Sequence, residues 1–194
     1  MQELVSSRLP SEWGEYIMSA FGNEGDEFPH VVLHKGVKTF LKSGAPVPVR
    51  VHSECMTGDV FASNRCDCGG QLHAAMAHFQ THGGMLIYLR QEGRGIGLVE
   101  KLRAYNLQDE GLNTFEANEA MGHSADQRDY GAAVTILSHF GIKRISLLTN
   151  NPEKERALAE GGVDVSELLP LVLPENPNNA AYLAAKRLIT GHRL

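Results

Sequence analysis

The sequence predicts a mixed α/β fold, with mixed sheets flanked by helices, and three observations predict it. Val47, Val49 and Val51 alternate along one stretch, the period of a strand, which puts Arg50 and His52 on the opposite face. Met85 to Leu89 is a short apolar run that leads into a glycine-rich turn and then a helical pattern. Arg144 to Leu148 is a second such run, followed by Asn151 and Pro152, the cap and first-position signals of a helix.

The other elements follow in chain order. Glu15 to Phe21 and Val31 to His34 read as strands, separated by the Gly- and Asp-containing stretch Gly22 to Glu27. Leu72, Ala75, Met76 and Phe79 fall at i, i+3, i+4 and i+7, an amphipathic helix that ends near Gly83 and Gly84. Leu98, Leu102 and Tyr105 start another helical face, and the stretch from Gln108 to Met121 reads as loop followed by a short helix. Ser124 to Tyr130 opens a helix whose apolar face is Ala132, Ala133, Ile136, Leu137 and Phe140. The helix begun at Asn151 stops at Gly161-Gly162, Val163 to Val165 and Leu168 to Leu173 read as short strands, and Asn178 to Ile189 as a closing helix. One domain is expected, with a strand-rich segment 1–46, a core 47–175 and a C-terminal helix 176–194.

Composition narrows the function classes. Hydrophobic residues at 42% and charged ones at 21% describe an ordinary globular protein of 194 residues, able to bury a substantial core. No apolar run is long enough for a membrane span and the N-terminus is polar, so a cytoplasmic protein without membrane contact is expected. A net charge of −5 argues against a nonspecific nucleic-acid binder but not against a nucleotide, since a few cations focused in one cleft suffice.

All three cysteines, Cys55, Cys66 and Cys68, lie between Arg50 and Gly70. The odd count and the single residue between Cys66 and Cys68 disfavour disulfides. Three thiols in one short hairpin suit a soft metal site, with zinc the natural occupant. An open site with a free position is favoured over a closed one, in which His52, Asp67 or His73 would be the fourth ligand. Further on, Arg90-Gln91-Glu92-Gly93-Arg94-Gly95-Ile96-Gly97 is a strand-to-helix turn with two arginines around an acid, a phosphate-binding arrangement but not the dinucleotide fingerprint. Thr149, Asn150 and Lys154 fall where a strand ends and a helix begins, and a lysine in that first turn opposes the helix dipole, which points to a bound anion. By position alone, Asp126 is most simply a helix N-cap or a first-turn acid.

The strings VRVHSECMTGD and RCDCGGQL, followed by RQEGRGIGL, the DxRDYG pattern, LLTNNPEK and NPNN, closely resemble GTP cyclohydrolase II, and the resemblance runs from Arg50 through most of the remaining chain. It implies zinc-dependent hydrolysis of GTP to formate, pyrophosphate and 2,5-diamino-6-(5-phospho-ribosylamino)pyrimidin-4(3H)-one, the first step of riboflavin biosynthesis. It also implies Mg2+ on the substrate phosphates and a homodimer. Cys55, Cys66 and Cys68 become metal ligands. Asp126, Arg128 and Tyr105 become catalytic, and Arg50, Val51, His52, Ser53, Glu54, Gln71, Glu92, Gly93, Arg94, Thr114, Thr149 and Lys154 become substrate-binding. Arg128 is assigned as nucleophile with Asp126 as its base, although a guanidinium has no lone pair to spare, so stabilisation of charge in the transition state is an equal alternative. Tyr105 is either a partner for the attacking water or a core aromatic. Glu92 or Glu116 would read the guanine edge. The lyase domain often fused upstream in this family is expected to be absent, because Arg50 lies too near the N-terminus. The family's threonine before a lysine and methionine before Gly-His are here Ala185-Lys186 and Thr190-Gly191-His192, a departure expected to affect packing or the dimer and not chemistry. The alternatives are a nucleotide-binding zinc protein without turnover, or a diverged cyclohydrolase that releases a formylated pyrimidine.

Overall fold

A computed structural model describes residues 1–124 and 126–193. One seven-stranded mixed sheet organises them, in the order β1-β2-β3-β5-β4-β6-β7. Strands β1 (Gln2–Ser11), β2 (Gly14–Gly22) and β3 (His30–Lys35) form an antiparallel meander. Strand β3 pairs antiparallel with β5 (Gly84–Leu89), which runs parallel to β4 (Val47–Ser53). On the far side of β4 lie β6 (Arg144–Leu148) and β7 (Asp164–Leu169), both parallel to it. The mixed α/β expectation holds.

The pleat divides each central strand between two layers. Val47, Val49, Val51, Met85, Ile87, Ile145 and Leu147 pack on one face with helices α1 (Val37–Ser43), α6 (Gly131–His139) and α7 (Pro152–Glu160). Leu86 and Leu148 face the other way, against Ala75, Met76 and Phe79 of α3 (Cys68–His82). Arg50 and His52 share that second face and are buried, not solvated as an ordinary strand-face reading would have them. Gln71 of α3 meets Arg50, and Asp59 meets His52.

Chain direction creates a crevice. From β4 the chain runs through α3 to β5 on one side, then crosses back to enter β6 on the other side of β4. Neighbouring parallel strands whose connections leave in opposite directions open a cleft beyond their carboxyl ends. The ends of β4 and β6 carry Arg50 to Ser53 and Thr149 to Asn151.

Several expectations need correction. The cysteine segment is not a hairpin: Cys55 precedes the short helix α2 (Met56–Asp59) and Cys68 opens α3. Leu102 in α4 (Gly97–Asp109) is exposed, and the buried positions of that helix are Lys101 and Ala104, so its inner face is more polar than the apolar spacing suggested. Asp126 caps nothing: α6 starts at Gly131 with Tyr130 before it, and Ala125, within the segment expected to open that helix, lies outside the described residues. The expected strand over Leu168 to Leu173 stops at Leu169 as part of β7, because Leu171 pairs with the Asn150 side chain and not with another strand. Strand β1 and helix α1 were not anticipated. The Asn151 cap is as expected, its side chain accepting from the Glu153 N–H at 2.9 Å. The closing helix α8 spans Ala180–Thr190.

Phe79 is fully buried between α3 and β5, so Phe79→Ala should cost about 3–5 kcal/mol in a urea titration. Leu102→Ala, on an exposed face, should stay within about 0.5 kcal/mol of the parent. Equal losses would contradict the layer assignment.

Candidate active site

The cleft is assembled from the carboxyl ends of β4 and β6, the α2–α3 loop, the glycine-rich turn and α8. Its first half is sulfur. The Sγ atoms of Cys55, Cys66 and Cys68 all lie within 4.8 Å of one another, and those of Cys55 and Cys66 are 3.7 Å apart. A tetrahedral zinc ion with Zn–S bonds of about 2.3 Å would hold its sulfurs roughly 3.8 Å apart, so the three side chains fit one. Close contact of α2 with α3 makes the cluster possible: a Cβ on Gly69 would sit 2.2 Å from the Gly58 carbonyl oxygen, and one on Gly58 would sit 3.0 Å from Cys66 Sγ. Both positions need glycine for space.

The thiols cannot all ionise on their own. Hydrogen bonds from Cys66 and Cys68 hold the Cys55 thiol far down, against its burial and with help from Lys101. The same contacts push Cys66 up to about 11 and Cys68 well above the usual thiol range. A bound dication would relieve that frustration. Each candidate fourth ligand is engaged elsewhere or lies apart. His52 Nε2 meets the Asp59 carboxylate at 3.0 Å, Asp67 is paired with Lys186, and exposed His73 packs near Trp13. Among the described residues the metal-capable cluster is the three cysteines, as an open site requires.

Carboxylates brace this loop from beneath. Buried Asp59 accepts from His52 Nε2, from the Cys55 N–H at 3.0 Å and from the Tyr88 hydroxyl at 2.9 Å. Glu92 Oε2 accepts from the Met56 N–H at 2.6 Å, while Oε1 accepts from Lys101 Nζ at 2.8 Å and from the Gly93 N–H. Lys101 Nζ lies 3.1 Å from Cys55 Sγ. Thr57 Oγ1 bridges Cys55 Sγ and the Tyr105 hydroxyl, at 3.6 and 3.3 Å, which puts Tyr105 at the sulfur end of the cleft and not in the core. The turn carrying Glu92 is tight: Gly93 and Arg94 both have φ of 62°, and for a non-glycine residue that conformation is strained. Arg94 lies over the Phe115 ring, 4.1 Å from its centroid.

The second half is cationic. Buried Arg50 donates to the Leu148 carbonyl at 3.0 Å and to Gln71 Oε1 at 2.5 Å, leaving its Nε–H without a partner. Lys154 Nζ donates to the Val51 carbonyl at 2.8 Å. Burial, then the nearby Arg50, Arg128 and Lys186, pushes Lys154 well below the usual lysine range. Such a cluster is unfavourable without an anion. Arg128 is held by Asp126, its Nε 2.9 Å from Oδ1, and Tyr130 with that carboxylate keeps the guanidinium charged despite burial. His52 keeps its Nε2 proton on Asp59, and burial lowers its pKa, so Nδ1 is a bare acceptor without a partner.

Of the catalytic, substrate-binding and metal residues expected here, Val51 and Asp126 do not line this cleft, nor does Glu116: the Val51 side chain is in the core, and Asp126 faces an adjoining hollow shared with Arg128. Ser53 is tied to Gln91, and Glu54 to Arg90, at 2.9 and 3.0 Å. Thr114 opens α5 (Thr114–Ala120), where Glu116 completes a capping box with Asn113 outside the cleft. The unanticipated lining residues include Lys101, Asn118, Tyr182, Lys186 and His192. The last two neighbour the departing positions, which do not themselves line the cleft: Ala185 is packed in the interior, and the Thr190 side chain lies outside the described residues. A signal existed for Lys101, which shares a helical face with Leu98 and Tyr105.

A three-sulfur cluster able to hold a metal ion, opening into a cation-lined cleft, describes an enzyme for a small phosphorylated substrate. The family model of GTP cyclohydrolase II matches residues 2–170. The chain is 50% identical to GTP cyclohydrolase-2 of Pseudomonas syringae pv. tomato, covering 98% of this chain and 92% of that one. It is 50% identical to the Teredinibacter turnerae enzyme of the same name, covering 100% and 96%. The riboflavin biosynthesis protein RibBA of Bacillus mycoides is also 50% identical, over 98% of this chain but 47% of that longer protein. Among solved structures, a two-domain 3,4-dihydroxy-2-butanone 4-phosphate synthase from A. baumannii is similar with a TM-score of 0.45 and 18% identity, covering 89% of this chain and 40% of that one, too distant to add to the assignment. The chain belongs to the GTP cyclohydrolase II family.

Burial, with Lys186 and Arg128 adding to it, pushes His192 down to about 3. An unfolded histidine titrates near ~6.5, so between those values the unfolded chain binds more protons and stability falls as pH falls. The melting temperature should drop as pH falls from about 6.5 toward 4, and His192→Gln should flatten that slope. An unchanged slope in the variant would contradict a half-buried imidazole held neutral.

Proposed function

We propose that this chain hydrolyses GTP to formate, pyrophosphate and 2,5-diamino-6-(5-phospho-ribosylamino)pyrimidin-4(3H)-one for riboflavin biosynthesis. The reading takes one zinc ion on Cys55, Cys66 and Cys68, Mg2+ with the substrate phosphates, and a cytoplasmic homodimer. The stretches 1–46, 47–175 and 176–194 are read as parts of one domain. The observation that carries it is the meeting of thiol cluster and cation cluster in one cleft.

Held by Cys55, Cys66 and Cys68, a zinc ion would supply Lewis-acid activation of water for opening the imidazole ring at C8 and releasing formate. The protein's own groups do the rest. Lys101 offsets the charge of the sulfurs, and Tyr105, tied through Thr57 to Cys55, offers a hydroxyl beside the reacting carbon. Arg50, Lys154 and Arg128 bind the triphosphate, with Thr149 and Arg94 at its flanks. Arg128, kept cationic by Asp126, stabilises the negative charge that develops as pyrophosphate departs; a permanently protonated guanidinium is a poor nucleophile. Glu92 has its oxygens committed to Met56, Lys101 and Gly93, so His52 Nδ1 is the better acceptor for an N–H or O–H of the nucleotide.

Zinc-loaded protein given GTP and Mg2+ should release formate and pyrophosphate in equal amounts, and Cys66→Ser should end formate release without unfolding the chain. Lys154→Met should raise KM for GTP roughly 10- to 100-fold, the cost of one charged hydrogen bond. Pyrophosphate without formate would contradict metal-linked ring opening, and GTP binding without either product would mean a binding protein.

A further inference from the structure

The C-terminal stretch lies beyond the residues matched by the family model, yet it forms one wall of the cleft. It is strapped down at both ends. Asn150, just past β6, donates to the Leu171 carbonyl at 2.6 Å and accepts from the Leu171 N–H at 2.9 Å. Its own carbonyl accepts from the Arg193 N–H at 2.9 Å. Between these ties, Leu173 packs on Gly70, where a Cβ would come within 2.5 Å of it.

What the strap delivers is one ammonium. Lys186 Nζ lies 2.7 Å from Asp67 Oδ1, with the two side chains 10% and 3% exposed. Asp67 stands between Cys66 and Cys68 in the chain. Its other oxygen accepts from Gln71 Nε2 at 2.6 Å, and Gln71 passes the contact to Arg50. A continuous polar chain therefore links α8, the sulfur loop, α3 and the cation floor of β4. Remove Lys186, and a carboxylate buried beside three sulfurs loses its paired ammonium, a strongly destabilising change.

We propose that Lys186 is a positioning residue: through Asp67 it fixes the metal loop and the Gln71–Arg50 pair in the geometry that metal and nucleotide require. The inference rests on the metal site of the proposed function. Charge compensation of the loop and its hydrogen-bond order are both assigned to this one contact, which spans 119 residues of sequence.

The test needs no turnover. Zinc retention is measured by competition with a chromophoric chelator, without GTP, for the parent chain, Lys186→Met, Lys186→Arg, Asp67→Asn and Arg187→Met. Loss of a group that orients a metal ligand costs about 10- to 100-fold in metal affinity, the loss expected of Lys186→Met. Lys186→Arg should recover most of it. Arg187→Met removes the same charge one residue on, from an exposed pair with Glu175, and should retain zinc like the parent. Asp67→Asn with Lys186→Met should lose no more than either alone, because both cut one interaction. If Lys186→Met fails to fold, the comparison of Asp67→Asn with the parent decides. A folded Lys186→Met or Asp67→Asn that holds zinc like the parent would overturn the inference and leave the proposed function standing. A parent chain that binds no zinc would overturn the metal site and this inference together.

Discussion

Opposite charges are buried side by side at the carboxyl ends of β4 and β6, and the rest of the structure is arranged to make that tolerable. Three sulfurs and the carboxylates of Asp59, Asp67 and Glu92 lie within reach of Arg50, Lys101, Lys154 and Lys186. Burying any one of these alone would be costly, and pairing recovers only part of the loss. The apo cleft is therefore balanced but frustrated: two thiols are held protonated, and Lys154 is pushed toward neutrality. A dication on the sulfurs and a polyanion on the cations would relieve both at once. A bound metal and an anionic substrate would together complete this electrostatic arrangement.

The sheet supplies the rigidity this needs. Val49, Val51, Ile87 and Leu147 are essentially excluded from water, so the ends of β4 and β6 are fixed by packing. Loops then carry the chemistry outward from that frame. The glycine-rich turn is strained at Arg94 and braced by Glu92, and the sulfur loop is clamped from two sides by Asp59 and Asp67. The two clamps differ in reach: Asp59 ties the loop to its own strand, and Asp67 ties it to the far end of the chain.

What was legible in the sequence follows from this division. Short-range patterns gave the central strands, the Asn151 cap and the three cysteines, because each is written within a few residues. Long-range partners were not legible. Lys101 meets Cys55 across 46 residues, and Lys186 meets Asp67 across 119, separations no local period encodes. Leu98, Leu102 and Tyr105 suggested an apolar face, but the buried stripe of α4 includes Lys101, whose ammonium meets Cys55 Sγ and Glu92 and not a hydrocarbon layer. Asp126 had the look of a cap and became the partner of Arg128, because α6 begins later than its polar prelude implied. The catalytic expectations for Asp126 and Arg128 rested on family resemblance, whereas a metal site on the cysteines was legible from residue chemistry alone.

X-ray absorption of the zinc-loaded protein tests the account most directly, because it counts the atoms around the metal without requiring turnover. The account predicts three sulfurs at about 2.3 Å and one oxygen at about 2.0 Å, the signature of an open position. A fourth protein ligand, seen as a fourth sulfur or as the outer-shell scattering of an imidazole, would make the site closed and structural. That result would contradict hydrolysis at the metal and leave the cleft as a nucleotide-binding site.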